Sequence, residues 1–296
     1  MLIKIGFDIS LCVSTASAML FALRVHPSRD NDLLAHEDLK VHPNTSVSRY
    51  RDVYGNRCGR IAVQAGTVGF TNSAIIRDSG MLNAINPNAI YHDVRDLPLN
   101  ALPFIQSSRY CDVDTGLLQL AWDKFGPIEG GWNKVQAICD FVHGHLEFDY
   151  LRARANRTAL ETYQERTGVC RDFTHLCITL CRALNIPARY ATGYLGDIGV
   201  PPDPAPMDFS AWFEAYVGGR WYTFDPRHNT RRIGMIPMAK GKDAGDCALT
   251  TVFSRHSLEN FQVTTYEVDS YENQKDNGFA TRTHSEPFEV AFQALA

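Results

Sequence analysis

Neither charge sign predominates in this sequence: 29 Lys and Arg stand against 33 Asp and Glu in 296 residues, a net charge of -4. Nucleic acid and anionic membrane both reward a basic surface, so neither is an expected partner. An apolar run of membrane-spanning length is missing as well. The N-terminal stretch MLIKIGFDISLCVSTASAMLFALRV comes nearest, but Asp8 and Arg24 bound its uncharged run from Ile9 to Leu23. That run is too short to span a bilayer, and the stretch reads as β-strands rather than as a signal peptide. The eight cysteines, Cys12, Cys58, Cys111, Cys139, Cys170, Cys177, Cys181 and Cys247, lack the dense spacing of a secreted disulfide scaffold. Reduced thiols and a cytoplasmic location are expected. Paired Cys-x-x-Cys, H-E-x-x-H, G-x-G-x-x-G and P-loop motifs are all missing, which excludes the usual zinc and nucleotide chemistries. No metal or organic cofactor is expected, and there is no internal repeat.

What is present is a chain whose 45% hydrophobic content is enough for a large core. Up to about residue 100, short alternating runs such as VSRYRDV and GRIAVQAGTVGF are broken by turn residues, the pattern of an antiparallel β domain. DLPLNALPF reads as a linker, setting a boundary between residues 1–104 and a second unit, 105–296, that ends in a polar tail. In the second unit the period lengthens towards 3.6, predicting helices in DVDTGLLQLAWDKF, GGWNKVQAICDFVHGHLEF and TGVCRDFTHLCITLCRALNIP, the last capped by Thr167. Strands follow in ARYATGYL, AWFEAYV and RWYTFD, the last two joined by a Gly-Gly hairpin signal. A proline-rich loop, GDIGVPPDPAPMD, lies between.

On the third helix, Cys177 and Cys181 fall within about 20° of Cys170, so the three thiols share a buried stripe. Cys177 and Cys181 read as small core hydrophobes. Cys170 differs because it occupies the first turn, where free backbone N–H groups and the helix dipole favour a thiolate. Gly168 before it leaves room for a substrate, and the amides of Gly168 and Val169 are candidate donors to an oxyanion. Asp172 and Asp208 are candidates for capping or for binding a substrate amine. Trp212 and Tyr194 are candidates for the cleft wall, against an ordinary core role for hairpin aromatics.

The segments GVCRDFTHLCITLCRALNIPARYATGYL and DFSAWFEAYVGGRWYTFDPRHN resemble the transglutaminase-like superfamily, in particular its bacterial two-domain, cysteine-protease-like members. The resemblance implies an α+β papain-like core, in which a helix bearing the cysteine packs on an antiparallel sheet, beside an N-terminal β domain. It assigns the nucleophile of the G-x-C-x-D segment to Cys170, and the aspartate of W-Y-x-F-D to Asp225. The histidine of D-x-H-A-W-x-E falls on Ser210. The implied activity is acyl transfer through a cysteine thioester, by hydrolysis or transamidation of a peptide, amide or thioester substrate. With serine at 210, the chain is expected to bind substrate but barely turn over. The alternative is a binding or regulatory protein using the same cleft. Of possible substitute bases, His175 lies about 140° around the helix from Cys170 and should face away. His228 reaches the site only if the turn after Asp225 folds back.

Overall fold

A computed structural model describes residues 1–269. Its first six strands are β1 (Leu2–Val13), β2 (Ser17–Phe21), β3 (Lys40–His42), β4 (Ser48–Arg51), β5 (Arg57–Val63) and β6 (Gly66–Arg77). Four helices and two short strands follow: α1 (Gly116–Phe125), α2 (Gly131–His145), β7 (Glu147–Phe148), α3 (Ala159–Glu165), β8 (Thr167–Gly168) and α4 (Cys170–Ala183). The chain then forms β9 (Ala188–Tyr194), β10 (Phe209–Val217), β11 (Arg220–Phe224), β12 (Ile236–Gly241), β13 (Thr250–Val252) and β14 (His256–Val268). This is the expected α+β fold with antiparallel sheets. Among the described residues no helix is long and apolar enough to cross a membrane.

Two four-stranded sheets, ordered β14-β1-β6-β3 and β13-β2-β5-β4, make up the N-terminal layers. The period-2 pattern of β1 buries Ile3, Ile5, Phe7, Ile9 and Leu11 completely. Phe21 and Phe70 join the two sheets, their rings 5.0 Å apart. Both outer strands β13 and β14 come from the far end of the sequence, so residues 250–268, assigned by the sequence to the second unit, complete these layers instead. The polar stretch beyond residue 269 lies outside the described residues.

The second unit is a sheet ordered β11-β10-β9-β12 with α4 packed on β9 and β10. Every residue of α4 is buried, with α1, α2 and α3 packed around the sides that the sheet leaves free. Such a helix must satisfy its own charges internally. Arg182 does so by donating to the carbonyl oxygens of Phe104, Gln106 and Ala188. The segment expected to be a linker is therefore docked: it forms 3₁₀ turns over Val94–Asp96 and Leu102–Ile105, and Phe104 is buried. Phe209 joins the two units, its ring 5.9 Å from Phe7 of β1 and 5.8 Å from Phe261 of β14.

Candidate active site

The start of α4 is built around Asp172. Val169 occupies the N-cap position, and the Asp172 carboxylate three residues on accepts its amide N–H at 3.0 Å. The same carboxylate receives Arg157 at 2.8 Å and Arg171 at 3.2 Å, all three side chains being buried. A Cβ at Gly168 would lie 2.6 Å from the Asp172 Cβ, so this position requires glycine. Three expectations change. The cap is Asp172 acting on Val169, not Thr167; the Val169 amide is committed to Asp172 and is not an oxyanion donor; and Gly168 makes room for the cap, not for a substrate.

The cap sets Cys170 at the first helical position. Its side chain is enclosed, and the Ala211 amide of β10 donates to Sγ. Burial pushes the thiol up to about 11; Arg227 and the Ala211 amide oppose that rise, while Asp208 and Asp172 add to it. The expected thiolate at the helix start is thus overridden: a dipole effect of at most ~2 kcal/mol is smaller than the desolvation of a buried anion. Asp208 is itself pushed up to about 7 by burial, against the pull of the Phe209 amide and Arg227. Although the residue is partly exposed, its Oδ1 is enclosed and unpartnered among the described residues. Burial, Asp208 and Cys170 together raise Tyr150, and burial together with Cys170 raises Tyr190. Cys170, Tyr150, Tyr190, Asp208 and Arg227 thus form one electrostatic neighbourhood.

Ser210 adjoins the residue whose amide meets the thiol. It is buried, pairs with Gly193 of β9, and leaves its Oγ without a partner among the described residues. The β10–β11 ladder runs from Val217↔Arg220 to Phe213↔Phe224, turning at Gly218 and Gly219, both with positive φ. Asp225 stands one residue beyond the last pair. It is therefore diagonal to Ser210 across the open end of the hairpin, not opposite it.

The turn after Asp225 folds back. His228 Nδ1 lies 2.7 Å from Asp225 Oδ2, and the His228 amide donates to Oδ1 at 3.3 Å. Helix α2 pins this turn: His143 Nδ1 meets the Arg227 carbonyl at 2.9 Å, Asn229 donates to Asp140 at 2.8 Å, and Gln136 donates to Asn229 at 3.1 Å. The Arg227 guanidinium lies 3.8 Å above the centre of the Phe148 ring. Phe148 pairs with Gly168, two residues before Cys170. A small open pocket abuts Asp225 from the α2 side, lined by Trp132, Gln136, Cys139 and Arg231 among others, but not by Cys170.

A family model described as the transglutaminase-like superfamily matches residues 124–226. A solved structure from Cytophaga hutchinsonii, described as a "putative cysteine protease", is 33% identical, with a TM-score of 0.76 and 91% of each chain covered. The chain belongs to the transglutaminase-like superfamily. It is also similar to an uncharacterized protein of Mycobacterium leprae (strain TN), 32% identical over 133 residues, or 44% of this chain. That match spans about half the length of the relative, 47%.

Of the positions the superfamily's pattern assigns, Cys170 lies beside Ala211, next to position 210, and Asp225 stands diagonal to 210 across the end of the hairpin, while the other candidates divide. Trp212 faces away from the Ala211 side of the strand, in a small cluster with Ala191, Leu195 and Met235. Tyr194 lies under the N-terminal layers, 5.2 Å from Phe209, so the cleft-wall role expected of it does not hold. His175 is sealed in the core, stacked on Tyr110 and accepting the Ala244 amide, and burial holds it down to about 3. Tyr150, Tyr190 and Arg227 are site neighbours that sequence reasoning missed. Only Arg227, within FDPRHN, had a signal, being next to the assigned aspartate.

Proposed function

We propose that this protein is a thiol-dependent acyl-transfer catalyst acting on a peptide, amide or thioester. Cys170 attacks the carbonyl carbon, an amine or thiol departs, and the resulting thioester passes its acyl group to water or an amine. The observation that carries this reading is the contact between Cys170 Sγ and the Ala211 amide. It sets the thiol beside the strand position from which the superfamily presents its histidine. The Cys170 amide, at the first position of α4, replaces those of Gly168 and Val169 as the candidate oxyanion donor. Serine at 210 removes proton transfer from that position, and loss of one member of such a triad costs on the order of 10⁴ in turnover.

A second reading, a binding or regulatory protein using the same cleft, is favoured by the enclosed, protonated state of Cys170 at neutral pH. The deciding experiment compares the parent chain, Ser210→His and Cys170→Ala on a panel of thioesters and activated amides. The acyl-transfer reading expects Cys170-dependent turnover, strongest in Ser210→His. Its absence from the parent and from a folded Ser210→His alike would favour the binding reading. We place the protein in the cytoplasm, a proposal supported by its eight cysteines, all unpaired.

A further inference from the structure

Asp225, the residue assigned to orient a histidine at 210, already holds one. Its carboxylate is almost completely enclosed, and both oxygens are engaged by His228, through the ring Nδ1 and the backbone amide. We infer that His228, oriented by Asp225, is the proton carrier for Cys170 in place of a histidine at position 210. This rests on the acyl-transfer reading above.

Three features support the assignment. First, a carboxylate accepting from Nδ1–H fixes the tautomer in which Nε2 carries the lone pair, the form a general base requires. His228 Nε2 has no hydrogen-bond partner among the described residues, and the side chain is 29% exposed, so this nitrogen remains available. Second, the turn bearing His228 abuts the entrance to α4: Arg227 stacks on Phe148, and Phe148 pairs with Gly168. Third, the turn is held on both sides of His228, through the Arg227 carbonyl to His143 and through Asn229 to Gln136 and Asp140. Serine at 210 offers Asp225 no imidazole, so nothing from β10 competes with His228 for the carboxylate.

The chemistry balances without an added reactant. The Cys170 S–H proton passes to His228 Nε2 as sulfur bonds to the carbonyl carbon, and the C–N or C–S bond to the leaving group breaks as that group takes the proton back. Water or an amine then gives a proton to Nε2 and bonds to the acyl carbon. The thioester C–S bond breaks, and the proton returns to Cys170.

The test is acylation of the intact chain by an activated thioester, followed by intact mass and by turnover, in the parent, His228→Gln, His228→Ala, Asp208→Asn, Ser210→His and Cys170→Ala. General-base loss predicts at least a ~100-fold slower acylation in His228→Gln, although glutamine can still donate to Asp225. Added imidazole should restore part of the rate in His228→Ala, a response that a purely structural role would not give. The groups facing His228 and its turn are Asp225, Arg227, His143 and Asp140, while Asp208 and Tyr150 face Cys170. Because Asp208 is pushed up to about 7 beside the thiol, Asp208→Asn is the control: it must acylate at no less than the parent's rate, while His228→Gln must not. The inference is overturned if His228→Gln keeps the parent's rate, if Asp208→Asn loses as much rate as His228→Gln, or if only Ser210→His turns over; each leaves the acyl-transfer reading standing. Silence in every form, with the fold intact, removes both.

Discussion

Cys170 carries two opposed influences, and their sizes decide its state. A thiol in the first turn of a helix gains from the dipole, but one enclosed on all sides loses more as an anion, and here the balance puts it at about 11. Alkylation of Cys170 by iodoacetamide should therefore be slow at pH 7 and accelerate about tenfold per pH unit up to about 11, since only the thiolate reacts. Asp208→Asn should speed the reaction at a fixed pH by removing a neighbouring negative charge, and Arg227→Gln should slow it. Peptide-resolved mass spectrometry reads both, and a pH-independent rate would contradict the assignment. Asp208 adds a stability signature. Its folded value of about 7 lies above the ordinary 3.8, so its contribution is complete below about pH 4 and is lost as pH rises through 7. The loss is at most about 4 kcal/mol, at ~1.4 kcal/mol per pKa unit. Chemical denaturation of Asp208→Asn should show a shallower decline over that window than the parent. Cys170 and Asp225 could be assigned from sequence because each sits in a short segment whose residue types match the superfamily. The thiol's burial was not, because Ala211, Asp208 and Tyr150 are brought to it by β10 and by a loop before α3. His228 was visible only as a condition, since sequence does not show which way a Pro-Arg-His turn closes.

At the scale of elements, the G-x-C-x-D segment is a device for starting a buried helix. Asp172 is held in the core by Arg157, Arg171 and the Val169 amide, which all donate to its carboxylate. Asp172→Asn would leave the buried Arg171 without its counter-charge and Arg157 with Glu165 alone, and should lower stability by about 3–5 kcal/mol. Gly168→Ala should cost roughly 1–3 kcal/mol, because the new methyl meets the Asp172 side chain at its base and the crowded cap must shift. Urea titrations check both, and a neutral Asp172→Asn would mean that the arginines find other acceptors. The spacing of this segment was readable as a helix start. That its glycine serves the aspartate, rather than a substrate, follows only from the close approach of the two side chains.

Across the whole molecule, the β11-β10-β9-β12 sheet and the N-terminal layers are held together by strands far apart in sequence. The change of period near residue 104 was legible, but the pairing of β1 with β14 was not, because no local pattern names an antiparallel partner some 250 residues away. Phe209, the first residue of the strand that carries Ser210 and Ala211, rests on Phe7 and Phe261 from the two ends of the described chain. The N-terminal end of β10, and with it the Ala211 contact to Cys170, is thus supported by the β layers. Removing β14 exposes the edge of β1 and strips Phe261 and Val263 from the core. A chain ending at Leu249 should therefore lose cooperative thermal unfolding, and Cys170 should be alkylated at the rate of a denatured thiol even though every residue of the 124–226 family match is retained. A truncated chain with a sharp transition and a protected Cys170 would show that the core organises its site without the layers around it.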